Sequence, residues 1–201
     1  MRSKGTLALV AVVLVLGFVG CGATSSYNSL VQSQEQVNTA WADLQSQYQR
    51  RADLIPNLVS TVQGAADFEQ ETLTQVTEAR ASATSIQIDA GDLDDPQRIQ
   101  QFQQAQSQLG QALGRLLAVS ENYPQLQATQ SFRDLQAQLE GTENRIAVAR
   151  RDFNQAVQRY NTQIRSFPTV IFASVMGFDR RQPFEAEAGA QDAPDVEFGD
   201  T

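Results

Sequence analysis

Apolar residues are arranged along this chain in three ways. The first is a run. Leu7 to Val19 is apolar apart from Gly17, and no charge occurs between Gly5 and Tyr27. The second is a stripe at helical spacing, and it recurs over most of the chain. Tyr27, Trp41, Tyr48, Ile55 and Val62 share one heptad position, while Leu30, Val37, Leu44 and Leu58 share another. Phe132, Leu135, Leu139, Thr142, Ile146, Ala149, Phe153, Ala156 and Tyr160 alternate in steps of three and four, and Phe167 continues the phase. The third is a short apolar segment, Thr169 to Phe178, carrying Val170, Ile171, Phe172, Val175, Met176 and Phe178.

The stripes predict two long helices, Tyr27 to Ala65 and Phe132 to Phe167, each about 57 Å long. Pro56 interrupts the first and predicts a kink at 52–56, because proline removes a backbone donor and crowds the preceding turn. Two shorter helices lie between them. One is expected from an Asp67 N-cap, with Gln70 in the capping-box position, to about Ile88. The other starts at Asp95-Pro96, a cap followed by proline at the first helical position, and stops near Asn122-Tyr123-Pro124. Short connections make neighbouring helices antiparallel. The fold expected is all-α: an antiparallel up-and-down four-helix bundle over 27–168, with two long and two shorter helices, behind an N-terminal membrane anchor. The segment 169–178 then packs on the bundle or inserts into a lipid interface.

Charge sharpens the ends. Arg2 and Lys4 precede the apolar run, the pattern of a basic segment ahead of a membrane-directed one. Residues 1–21 are therefore a signal or anchor, and two readings stay open. About 19 uncharged residues are just enough for a transmembrane helix. Alternatively, Phe18-Val19-Gly20-Cys21 resembles a lipobox, with Cys21, the only cysteine, as the lipid attachment site and 22–26 as a tether. Both readings place the body outside the cytoplasm. At the other end, residues 179–201 hold seven acids and two arginines and thus most of the net charge of −8. That composition is expected to be disordered.

Candidate chemistry is sparse. There is no His and one Cys, which excludes disulfides within the chain and His/Cys metal sites. The acids Asp89, Asp92, Asp94 and Asp95 lack the alternate ligands of a calcium loop and read as a solvated loop with a helix cap. No basic stripe with interleaved aromatics occurs, so nucleic acid is not an expected partner. The one charged residue on a seam position is Arg51, in phase with Leu44 and Leu58. With Tyr27 level with Phe167, an antiparallel register brings Arg51 opposite Glu143, with Glu140 one turn away and Arg145 within reach of Asp53. Arg51, Asp53, Glu140, Glu143 and Arg145 are thus expected to form a structural polar layer that fixes helix register.

Several segments resemble the LemA family of bacterial membrane proteins: Tyr48-Gln-Arg-Arg-Ala-Asp-Leu-Ile-Pro-Asn-Leu-Val59, Thr77-Glu-Ala-Arg80, Glu140-Gly-Thr-Glu-Asn-Arg-Ile-Ala-Val-Ala-Arg-Arg-Asp-Phe-Asn154, Tyr160-Asn161 and Phe167-Pro168. The motifs occur in order over nearly the whole chain. The resemblance implies a helical bundle behind an N-terminal anchor, no established catalytic activity, no cofactor, and relatives associated with magnetosome membranes. Many relatives look like single-pass proteins, and Cys21 is where this chain departs from them. The function expected is a membrane-anchored, extracytoplasmic scaffold or adaptor, not an enzyme, with an envelope protein as partner. The alternative is a bundle that senses or binds a small ligand at the Arg51 layer.

Overall fold

The computed structural model describes residues 2–64 and 68–185, with side chains given for Leu9 and from Gly22 onward. Among these residues the secondary structure is entirely helical: α1 (Arg2–Gln63), α2 (Gln70–Ser85), a 3-10 turn (Ala90–Asp92), α3 (Pro96–Ser120), a one-turn α4 (Pro124–Gln127), α5 (Gln130–Arg165) and α6 (Thr169–Met176).

α1 is one unbroken helix from Arg2, so the 22–26 stretch, expected as a tether, is helical. Propagation from a formed helix fixes one residue per added bond, and nothing in Gly-Ala-Thr-Ser-Ser stops it as proline would. Helix also continues through Pro56. Pro56 has no N–H for the carbonyl of Ala52, and Arg80 Nε from α2 donates to that oxygen at 2.8 Å. The donor missing within one helix is supplied from its neighbour. α2 starts at Gln70 with Glu69 at the N-cap and no side-chain cap bond. The Asp67 cap expected from sequence lies outside the described residues. α2 ends at Ser85 rather than Ile88 because the chain turns extended at Ile86 and buries Ile88 and Leu93. The Ile88 carbonyl accepts from Trp41 Nε1 (3.1 Å) and Gln45 Nε2 (2.7 Å) of α1.

Asp95 caps α3, accepting from the amides of Gln97 and Arg98 at 2.9 and 3.3 Å. Asp92 receives Arg98 at 2.6 Å and the Asp89 amide at 3.0 Å, so Asp92 and Asp95 serve local geometry, while Asp94 stands 3.9 Å from Arg181.

α1 and α5 run antiparallel: Ser29 and Ser33 bond Gln163, whereas Arg51, further up α1, meets Glu143. α2 and α3 form a second antiparallel pair, tied by Gln106–Ala83 at one level and Arg115–Gln75 at another. Two apolar clusters result. The lower one combines aliphatic side chains with a group of rings, in which Trp41 and Phe184 each make edge or tilted contacts with Phe102, Phe153 and one another. The upper one is mainly aliphatic, built from Ile55, Leu58, Leu73, Leu109, Leu116, Leu139 and their neighbours. Their burial, at ~25 cal/mol per Å² of apolar surface, stabilises helices that would be marginal alone.

After α5 the chain bends through Ser166 to Pro168, with a cis Phe167–Pro168 peptide, into α6. Gly177 ends α6 at φ +74°, a left-handed conformation that glycine adopts without a Cβ penalty. Residues 179–185, expected to belong to a disordered tail, instead form an extended strap against α5. Asn161 brackets Arg181, donating to its carbonyl (2.7 Å) and accepting from its amide (2.9 Å). Asn154 does the same for Phe184 at 3.0 and 2.8 Å. The Gln182 amide donates to the Leu93 carbonyl at 2.9 Å. Overall tail composition misleads here because a single Phe in it completes the aromatic cluster, and Phe184 is buried.

Candidate functional site

The two apolar clusters are separated by a polar layer centred on Arg51, whose side chain is 4% exposed. A seam position on α1 carries it inward between Leu44 and Leu58. One terminal nitrogen donates to Glu143 Oε1 of α5 at 2.8 Å. The other donates to Gln106 of α3 twice, to the side-chain oxygen at 2.6 Å and the main-chain carbonyl at 3.1 Å. The Arg51 guanidinium also lies 5.2 Å from the centre of the Tyr48 ring. Gln106 passes the connection on, donating to the Ala83 carbonyl in the last turn of α2 at 3.2 Å. One guanidinium therefore touches α3 and α5 directly and α2 through one amide.

The glutamate is half-exposed, at 48%, while the arginine is not. The pair is thus a buried cation with a carboxylate at the rim, and water reaches only one side of it. Burial pushes the Tyr48 hydroxyl above its ordinary range, against the lowering effect of Arg150 and Arg51.

The other expected members do not bond Arg51, although Glu140 lines the same groove as Arg51 and Glu143. Glu140 is exposed and accepts from Gln136 of its own helix at 3.1 Å. Asp53 is exposed and accepts from Gln49 at 2.7 Å. Arg145 lines a groove with Asp43 and Asp152, and Asp53 is not among the residues of that groove. The reason is angular. Two residues of helix turn a side chain by about 200°, so with Arg51 facing the core Asp53 faces solvent.

Beside the layer runs a groove of about 660 Å³ between α3 and α5. Arg51, Gln106 and Glu143 lie at its lower part, Gly110 and Gly114 along one wall, and Leu139 along the other. A Cβ on Gly114 would meet no atom within 4 Å.

A second surface lies at the opposite end. Phe167 (82% exposed), Val175 (82%), Ile171 (54%) and Met176 (43%) form an apolar exposed set on and before α6. Phe172 and Phe178 are half-buried, and Phe178 makes an edge contact with Tyr27 of α1 at 5.9 Å. This end is where α1 arrives from its N-terminal run. The side chains of that run, Cys21 included, lie outside the described residues, and among the described residues no helix is long and apolar enough to cross a membrane. Among the same residues no group of three or more His, Cys, Asp or Glu converges.

Sequence reasoning missed three features: the Gln106 contacts, the Arg80 donor to Ala52, and the two asparagine brackets. Pro56 implied a lost backbone bond, and the expectation drawn from it was a kink at 52–56 rather than a donor from another helix. Nothing in the spacing identified Arg80, although it closes one of the quoted motifs, and Asn154 and Asn161 close two others.

The LemA family profile matches residues 40–198. That span takes in the Arg51 layer, the Pro56–Arg80 link, both asparagines and the strap. The magnetosome protein MamQ 2 of Paramagnetospirillum magneticum is 29% identical over 95% of this chain and 76% of its own length. The magnetosome protein MamQ of Magnetospirillum gryphiswaldense is 28% identical over the same shares. Protein LemA of Metamycoplasma hominis is 24% identical over 78% of this chain and 68% of its own. With the match covering more than half of its length, this chain belongs to the LemA family.

Proposed function

We propose that this protein is a membrane-anchored, extracytoplasmic adaptor. In this reading α1, α2, α3 and α5 form one up-and-down bundle, residues 1–21 anchor it, and its polar outer faces receive an envelope protein. The observation that carries the reading is the exposed apolar set Phe167, Val170, Ile171, Val175 and Met176, gathered at the end where α1 enters. Exposed large apolar residues in one patch favour a lipid interface or a partner over water. The basic Arg2 and Lys4 ahead of the apolar run support the anchor, and similarity to magnetosome proteins is consistent with placement at a membrane.

The test uses the full chain in vesicles. Trp41 is buried in the aromatic cluster, so lipids brominated near the headgroup should quench native fluorescence weakly. A Val175→Trp variant should be quenched strongly. Equal weak quenching in both would show that α6 does not reach lipid. Crosslinking in cells, with capture of a protein through the α2–α3 face, addresses the adaptor role; capture of none would leave the chain without it. Whether Cys21 carries lipid is decided by fatty-acid labelling, which Cys21→Ala should abolish.

The alternative, a small-ligand sensor, is favoured by one feature: Arg51 Nε is buried without a hydrogen-bond partner beside the α3–α5 groove. A thermal-shift screen of small carboxylates with the wild type and Gln106→Leu tests it.

A further inference from the structure

Another groove, of about 470 Å³, lies between the lower part of α5 and the strap. Thr162, Arg165 and Ser166 line it from α5, and Arg180 and Pro183 line it from the strap. No Asp or Glu is among the described residues that line it. Both arginines are exposed, and neither side chain pairs with another described residue. The adjacent Arg181 behaves differently. Its side chain is 11% exposed and stands 3.9 Å from Asp94. Alternation along an extended segment sends these two neighbours to opposite sides, one toward Asp94 and the other to the groove. Arg165 has a local role, since a cation in the last turn of a helix offsets the partial negative charge of its carbonyl end. That role does not extend to Arg180, which comes from another segment. Asn161 of α5 fixes it there by bonding both backbone groups of the next residue, Arg181.

Two guanidinium groups thus share one groove with no carboxylate lining it. Like charges held together repel, and an anion between them reverses the sign of the interaction. Guanidinium matches phosphate in particular, through paired donors in a planar fork. The position of the groove selects which phosphate. Its lower end is Ser166, and the next residue is Phe167, 82% exposed, followed by the exposed apolar residues of α6. We infer that Arg165 and Arg180 hold the phosphate of an anionic phospholipid whose acyl chains lie against Phe167 and α6. A zwitterionic headgroup fits less well, because its own ammonium is repelled by the two cations. A soluble phosphate would use the arginines but leave the apolar set in water. The inference rests on the reading of α6 as the lipid-facing end, and adds a headgroup class to it.

The test uses the full chain carrying Val175→Trp, in vesicles of phosphatidylcholine with about a quarter phosphatidylglycerol. Two sets of vesicles differ only in which lipid carries bromine in its upper acyl chain: the phosphatidylglycerol, or an equal amount of the phosphatidylcholine. Surface charge is the same in both, so a difference in quenching reports local enrichment of one lipid. Bromine on phosphatidylglycerol should quench the introduced tryptophan about twice as strongly or more. Arg165→Gln and Arg180→Gln, made singly, should each lower that ratio toward unity. Arg159→Gln removes the same charge from an exposed residue of α5 outside the groove and should leave the ratio unchanged. Excess soluble glycerol phosphate, at constant ionic strength, should leave it unchanged as well. Equal quenching by the two lipids would overturn the inference while keeping α6 in lipid, whereas no quenching by either would overturn both readings. A ratio lost equally in Arg159→Gln would assign the preference to general surface charge, and a ratio lost to glycerol phosphate would assign the groove to a soluble phosphate; either result overturns the lipid site.

Discussion

The two halves of the body solve the same packing problem with different materials. Below the Arg51 layer aliphatic side chains surround a group of rings: Trp41, Phe102, Phe153 and, from the strap, Phe184. Above the layer mainly aliphatic side chains of α1, α2, α3 and α5 pack together, and the link across helices is polar, Arg80 to the carbonyl that Pro56 leaves free. The lower half is closed by a segment distant in sequence and the upper half by a neighbouring hairpin. Ring pairs in edge or tilted contact add to the area they bury, and the strap supplies the ring that touches the other three.

The largest effect should fall on the lower half. Phe184→Ala removes a buried ring touched by three others and is expected to cost about 3 kcal/mol in urea unfolding. Asn154→Ala, which releases the strap backbone but leaves the ring in place, should cost less. A Phe184→Ala loss well under 1 kcal/mol would show that the lower half is closed without the strap.

Next comes the layer between the halves. Arg51→Ala leaves the Gln106 oxygens without their donor and opens a void, for a loss of about 3 kcal/mol. Glu143→Ala should cost only ~1 kcal/mol, because its carboxylate is half in water and Arg51 keeps Gln106. Equal losses from the two would mean that the ion pair, rather than the Gln106 contacts, holds the layer.

The contrast between the halves also separates what the sequence discloses from what it hides. The stripes on α1 and α5 were legible because helical periodicity is local, and so was the antiparallel register that puts Arg51 opposite Glu143. Asp95-Pro96 marked the start of α3 because capping needs only three neighbouring residues. The strap was hidden because its partners lie twenty to thirty residues away on α5 and its composition is that of a solvated tail. Asp53 was misplaced because register fixes the level of a residue along a helix and not its angle around it.

The link in the upper half is smaller and can be isolated. Arg80→Ala leaves the Ala52 carbonyl without its donor and should cost about 1.5 kcal/mol. Pro56→Ala restores an N–H to α1 that can serve that carbonyl. In the Pro56→Ala background Arg80→Ala should therefore cost less, with a coupling of about 1 kcal/mol in a double-mutant cycle. Strict additivity would mean that Arg80 stabilises the upper half only by packing.

The smallest effect concerns pH and distinguishes the two kinds of tyrosine contact in the lower half. The Tyr48 hydroxyl is raised above the ordinary 10.0 chiefly by burial, with Arg150 and Arg51 lowering it and Glu143 adding to the rise. Tyr160, whose hydroxyl donates to the Asp179 carbonyl at 2.9 Å, is also raised by burial. In both, folding favours the neutral phenol. Their contribution to stability is therefore full below the unfolded value and is lost as pH rises through the higher folded value. Arginine keeps its charge over that range, so the neighbouring cations do not change the sign. Stability should be level in these groups up to about pH 10 and fall above it. Tyr48→Phe removes one titrating phenol and only a long 3.3 Å contact with Arg150, so it should cost little at neutral pH and soften the alkaline fall. Tyr160→Phe also breaks the bond to the strap and should cost more at neutral pH while softening the fall as well. Urea unfolding of the three proteins at intervals from about pH 8 to 11 checks this, and curves that stay parallel across the range would mean that neither phenol is held neutral by the fold.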